Sequence, residues 1–196
     1  MSRYSESDPY LDPATGVLKN RLGIADESSL EQAEADLVAT RSYELSQTPL
    51  SGLYDLAHLQ AIHRHLFGDV YEWAGQLRTI DIAKGGNQFA HHAYVASAAA
   101  PIFQQLAKEN SLAGLDAASF GDRAAYYPGE LNALHPFREG NGRAQREFIS
   151  HLAHTNGYYV AWENVPGPDM LTAAIESFKG DTRRLAAIIR ENLSPR

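Results

Sequence analysis

Apolar residues recur at helical spacing over most of the chain. In residues 28–46, Leu30, Ala33 and Leu37 form a stripe that Tyr43 and Leu45 extend less regularly. Ser28 or Ser29 is the expected cap, Glu31 and Glu34 sit in early turns where the helix dipole favours acid, and Thr48-Pro49 stops the run. Residues 55–66 place Leu56, Leu59, Ile62, His63 and Leu66 on one face behind an Asp55 cap. Residues 94–112 carry Val95, Ile102 and Leu106 at burial spacing, and 116–134 carry Phe120, Ala124, Tyr127 and Leu131; Pro128 should kink the second of these or make it restart. Further helices are expected over 143–155, ended by Asn156-Gly157, over 168–178, ended by Gly180, and over 182–193.

The period changes to two in one place. Residues 78–83 are strand-like, Lys84-Gly85-Gly86-Asn87 is a turn, and Gln88-Phe89-Ala90 returns, so 78–90 reads as a short β-hairpin. It is the only convincing strand signal, and 158–162 reads as a packed extended run. The hairpin's edge can recruit an extended segment of another protein, or the hairpin can merely close a corner. Residues 1–24, broken by Pro9, Pro13 and Gly16, read as an N-terminal arm that Tyr4 and Tyr10 pin to the body. With no repeat and no linker, the expectation is one mainly α domain, a helical bundle with a short hairpin, over residues 1–196.

Composition narrows the chemistry. The 196 residues include no cysteine, so a disulfide scaffold, a thiolate zinc site and a cysteine nucleophile are excluded. A formal charge of -7 disfavours direct nucleic-acid binding. No apolar run is long enough to span a membrane and no apolar leader opens the chain, so a cytoplasmic setting is expected. His58, His63 and His65 crowd one helix without the HExxH spacing of a zinc site, and read as core or surface residues.

Polar chemistry concentrates in residues 134–148, LHPFREGNGRAQREF. Pro136 disfavours helix at the residue before it, so a helix should end at His135, leaving that side chain free to face a cleft as a general base. Glu139-Gly140-Asn141-Gly142-Arg143 is a turn whose N–H groups can converge on an anion, and the helix that follows adds its positive end. Phosphate is the natural ligand. Asn141 can donate its amide, Glu139 can hold Mg²⁺, and Arg143 and Arg146 share a helix face from which to grip outer phosphates. Arg138 is assigned no role.

The string HPFREGNGRAQR resembles the Fic-domain signature HxFx[DE]GNGRxxR without mismatch, and the flanking helices, the hairpin and FGDVYEWAGQLRT look like a bacterial Fic domain from Tyr10 onward. The resemblance implies transfer of AMP from ATP to a hydroxyl of a target protein. His135 would be the base and Glu139 the Mg²⁺ ligand; Gly140, Asn141 and Gly142 would hold the phosphates nearest the chemistry, Arg143 the β-phosphate and Arg146 the γ-phosphate. Lys84, Gly85, Gly86, Asn87, Gln88, Phe89 and Ala90 would form a flap that registers the target by strand addition. Doc-type relatives, which phosphorylate, replace the GNGR region with a motif containing lysine and bind the nucleotide reversed; Gly142 and Arg143 argue against that here.

Fic proteins are often restrained by a helix carrying [ST]xxxE[GN], whose glutamate pairs with the second motif arginine, here Arg146. Residues 40–44 (TRSYE) are followed by Leu45, and 172–176 (TAAIE) by Ser177, so neither completes the pattern. The resemblance therefore implies a separate small antitoxin supplying the inhibitory glutamate, and, for stand-alone toxins of this type, type II topoisomerases (DNA gyrase or topoisomerase IV) as targets. The alternatives are transfer of another nucleotide or phosphoryl group, and a nucleotide-binding regulator without catalysis.

Overall fold

Two carboxylates start the first two helices of the computed structural model, which describes residues 8–84 and 86–196; Tyr4 and Gly85 lie outside the described residues. Helix α1 (Glu27–Gln47) is capped by Asp26, whose carboxylate accepts both the N–H and the hydroxyl of Ser29. The expected Ser28 or Ser29 cap is thus corrected: a carboxylate further upstream takes the position and turns Ser29 into its donor. Helix α2 (Leu56–Phe67) starts at Asp55, as expected, with the His58 N–H at 2.8 Å.

Helix α3 (Val95–Lys108) ends earlier than residue 112. Asn110, Ser111 and Leu112 all take positive φ in a short 3-10 turn, which buries Leu112 and reverses the chain. The long helix expected over 116–134 is two, α4 (Ala117–Ala124) and α5 (Tyr126–Leu134). The restart at Ala125 puts Pro128 in the first turn of α5, where its missing N–H leaves no bond unmade. Helix α6 (Asn141–Thr155) ends at Asn156, with Gly157 at φ 79° supplying the left-handed exit. Helices α7 (Gly167–Phe178) and α8 (Arg183–Glu191) complete the set.

The hairpin is shorter than 78–90. Strands β1 (Ala83–Lys84) and β2 (Asn87–Gln88) pair antiparallel, Ala83 opposite Gln88 and Lys84 opposite Asn87. The residues before and after are drawn away by other partners: Arg78 N–H goes to the Pro136 carbonyl, Thr79 N–H to the Tyr10 hydroxyl, and Ala90 N–H to the Ala133 carbonyl. A second small sheet corrects the expectation of a single strand signal. Strands β3 (Tyr158–Val160) and β4 (Leu193–Pro195) pair antiparallel, so the last helix stops at Glu191 and the C-terminal residues return beside the extended run.

The core lies where α2 and α6 cross, with α1 laid over α2, α5 against α7, and α4 against α8. Leu59, Ile62, Leu66 and Phe67 of α2 and Phe148 and Leu152 of α6 are fully buried; each such side chain contributes about 1.5–3 kcal/mol. This crossing is the floor of the loop between α5 and α6. The N-terminal arm closes over the same region: Tyr10 packs edge-on against Trp73, and Asp8 forms a fully buried ion pair with Arg138 at 2.7 Å. Arg138 thus ties the arm to the loop.

Candidate active site

The loop's shape follows from three residues. Leu134 is the last residue of α5, and His135 turns out of the helix at φ 48°, ψ 64°, a left-handed conformation that swings its ring off the helix axis. Asn141 clasps the turn: its side-chain oxygen accepts the Phe137 N–H at 2.9 Å and its amide nitrogen donates to the Phe137 carbonyl at 2.8 Å. Gly140, at φ 79°, opens α6, and a Cβ there would strike the Phe67 ring at 2.3 Å. Only glycine meets both demands. The Asn141 side chain is buried, and one of its two amide N–H donors is given to the Phe137 carbonyl, so it acts in the turn itself. The turn also offers backbone anion donors, the first N–H groups of α6 that have no partner inside the helix. Beside Gly142 the nearest obstruction to a Cβ is the Arg146 guanidinium at 3.6 Å, so a ligand can approach the backbone closely.

His63 is the pillar beneath this loop. It stacks between Phe67 and Phe137, accepts the Gly75 N–H on Nδ1 at 2.9 Å and donates from Nε2 to the Glu139 carbonyl at 2.9 Å. Burial pushes its pKa down to about 4, so it is a neutral core histidine with both nitrogens used.

His135 lines a small cleft with Ile82, Lys84, Phe89 and Glu139. Phe89, just after β2, stacks on the imidazole at 3.9 Å, and Nδ1 is buried without a hydrogen-bond partner among the described residues. Burial brings the pKa down to about 4, against the opposing pull of the Glu139 carboxylate. At neutral pH the ring is unprotonated, the form a base requires. Glu139 is about one-third exposed and accepts the Gly140 N–H at 3.0 Å, leaving carboxylate capacity toward the cleft.

The two motif arginines differ. Arg143 lies over the Phe67 ring, 4.7 Å from its centroid, and its Nη2 meets Glu34 Oε1 of α1 at 2.5 Å. Glu34 is buried and also accepts the Tyr71 hydroxyl at 2.5 Å. Arg146 forms no side-chain hydrogen bond or ion pair among the described residues, and burial together with the nearby Arg143 charge lowers its pKa. Two hollows flank it. One is an apolar pocket between α5, α6 and α7, with Asn132, Met170, Ala174 and Leu185 in its walls and Gly142 at its edge. The other is a solvent-open groove between α1 and α6, bordered by Ser42, Tyr43, Ser150 and Trp162. Neither glutamate of the two incomplete inhibitory patterns turns to Arg146: Glu44 pairs with Arg41 and Glu176 with Arg184, each at 2.8 Å.

Sequence reasoning missed Arg78. Its fully buried guanidinium donates from Nε to the His135 carbonyl (2.8 Å), from Nη1 to Ile80 (2.6 Å), and from Nη2 to Leu134 (3.1 Å) and to Ala90. One side chain thereby joins the His135 turn to both ends of the hairpin. A buried arginine is rare without partners, but nothing in the local pattern distinguishes it from a strand-edge cation. Glu34 was likewise read only as a favourable early-turn acid.

A helix start shaped for an anion, with an unprotonated histidine and a carboxylate beside it, defines a phosphate-handling site of the group-transfer kind. The Fic/DOC family pattern matches residues 53–153, and the chain belongs to that family. It is 52% identical over 99% of its length to the protein adenylyltransferase VbhT of Bartonella schoenbuchensis, of which it spans 41%. It is 39% identical to the probable protein adenylyltransferase Fic of Escherichia coli, over 95% of this chain and 92% of that one. The fold matches the crystal structure of the Bartonella effector BepC of Bartonella tribocorum with bound AMPPNP (TM-score 0.90, 28% identity, 95% of this chain and 97% of that chain).

Proposed function

We propose that this chain is a protein adenylyltransferase that moves AMP from ATP to a hydroxyl of a target protein. The observation that carries the reading is the meeting of unprotonated His135, the Glu139 carboxylate and the open N-terminus of α6 around one cleft. The similarity to the protein adenylyltransferase VbhT and the probable protein adenylyltransferase Fic, and the AMPPNP bound in BepC, support it.

The target segment lies along the hairpin, residues 82–90, with its hydroxyl beside His135. His135 takes the hydroxyl proton, the oxygen attacks the α-phosphorus in line, and pyrophosphate leaves with the electron pair of the broken P–O bond. The backbone N–H groups of Asn141 and Gly142, at the start of α6, hold the α-phosphate, Arg143 the β-phosphate and Arg146 the γ-phosphate. We place the base in the apolar pocket between α5, α6 and α7. The exposed carboxylate oxygen of Glu139 fits Mg²⁺, which takes about one or two protein carboxylates and phosphate oxygens; when bound it neutralises phosphate charge. An ATP-dependent transfer suits a cytoplasmic setting.

For regulation, the groove between α1 and α6 fits a helix from a separate antitoxin that sets a glutamate against unpaired Arg146. Type II topoisomerases remain the targets suggested by the resemblance. The test is incubation of the purified protein and a bacterial lysate with ATP labelled at the α- or the γ-phosphate. Label on protein from α alone supports adenylyl transfer, label from γ alone means phosphorylation, and label from neither overturns the reading.

A further inference from the structure

Asp81, His91 and His92 close the base of the hairpin from its two ends. Asp81 comes immediately before residues 82–90 and the two histidines immediately after. His92 Nδ1 lies 3.0 Å from Asp81 Oδ1, His91 Nε2 lies 3.4 Å from Asp81 Oδ2, and the two rings stack at 4.5 Å. All three candidate donor atoms fall within 4.8 Å of one another.

These separations suit a small transition-metal ion. A tetrahedral zinc with bonds of about 2.0–2.1 Å spaces its ligand atoms about 3.3 Å apart. With Oδ2 as the carboxylate ligand, the edge to His91 Nε2 at 3.4 Å is therefore already near that length, and the three donor atoms all lie within 4.8 Å. Two imidazoles and one carboxylate form a donor set that favours zinc and its neighbours over magnesium or calcium. Consecutive histidines rarely share a side of the chain. Here they do, because His91 is still extended and His92 begins a 3-10 turn (His92–Tyr94).

We infer that Asp81, His91 and His92 form a zinc-class divalent metal site that staples the two ends of the target-docking hairpin. Oδ2 is the oxygen that turns to the ion, since Oδ1 already accepts the His92 N–H at 2.7 Å and faces Arg78 Nη1 at 3.7 Å. The ion replaces the hydrogen-bonding proton at His92 Nδ1, and that ring carries its remaining proton on Nε2. Ligation by His91 Nε2 puts the ring proton on Nδ1, which must give up the 3.3 Å bond it accepts from the Ala93 N–H. His91 is half-exposed. Three protein ligands leave the remaining coordination to water. Arg78 holds the hairpin to the catalytic turn from inside, and the metal holds its ends together from outside.

The importance of the staple for target docking rests on the proposed function, but the site is tested without turnover. Untagged protein is titrated with zinc against a chromophoric chelator, and hydrogen exchange of residues 82–90 is followed with and without zinc. The expected result is one equivalent bound, slower exchange in the hairpin, and loss of both in His91→Ala/His92→Ala. Asp81→Asn, which keeps the acceptor for the His92 N–H, should weaken binding about tenfold or more while leaving the fold intact, since loss of even an outer-shell partner commonly costs about 10–100-fold. Zinc binding of equal stoichiometry by the double variant, or no binding by the parent, overturns the inference.

Discussion

The Glu34 carboxylate on α1 holds the Arg143 guanidinium of α6 at 2.5 Å while accepting the Tyr71 hydroxyl, so the first motif arginine is oriented by a buried partner outside the motif. Glu34→Gln keeps an acceptor for Tyr71 but removes the charge that fixes Arg143. Steady-state rates at varied ATP should show kcat/KM lower by about tenfold, equivalent to about 1.4 kcal/mol of lost transition-state binding. An increase would mean that Glu34 competes with phosphate for Arg143.

Arg78→Lys should loosen the hairpin from the catalytic turn. Lysine keeps the charge but loses the planar fork that reaches four carbonyls. With about 1.5–3 kcal/mol for each charged hydrogen bond, loss of one or two predicts a stability drop of about 3 kcal/mol in urea unfolding. Hydrogen exchange should speed up first at Ala90 and Leu134. Unchanged stability would contradict the role given to Arg78.

Gly140→Ala meets a positive φ and the Phe67 ring together. A cost of about 1–3 kcal/mol is expected from overpacking alone, with transfer activity lost as the turn shifts. Gly157→Ala has the same kind of φ and open space around it, and should cost less and leave activity intact. Equal effects would argue against the Phe67 contact.

The low pKa values of His135 and His63 set the acid behaviour. An ordinary histidine near 6.5 would protonate between pH 7 and 5; His135, at about 4, stays unprotonated there. The profile of kcat/KM should hold down to about pH 5 and fall as pH drops through about 4. Stability has the same sign. Unfolded histidines take up protons below about 6.5 while the folded ones do not until about 4, so stability is full above 6.5 and declines as pH falls from 6.5 to 4. The loss is on the order of 2 kcal/mol for each histidine at pH 5. Denaturant unfolding at pH 7 and 5 checks it, and equal stability at both would contradict the buried-neutral assignment.

Much of the site was legible because its signals are local. The proline after His135 ends α5, Asn156-Gly157 ends α6, and the Gly-Asn-Gly turn starts a helix, each through the backbone of adjacent residues. What was not legible depends on partners distant in sequence. Arg78 and Glu34 acquire their meaning only when α1, the hairpin and the His135 turn meet, and the β3–β4 pairing joins an unremarkable extended run to the C-terminal residues. The structural part played by Asn141 was hidden for the complementary reason. Its amide suits a phosphate in isolation, and only the folded turn reveals Phe137 as its partner.

His135→Ala tests the central claim most directly, by measuring both label transfer from α-labelled ATP to protein and ATP affinity in the same preparation. Loss of the base should lower transfer by at least about 100-fold, with ATP binding unchanged because the phosphate donors lie at the start of α6. Continued labelling by the variant would contradict the account.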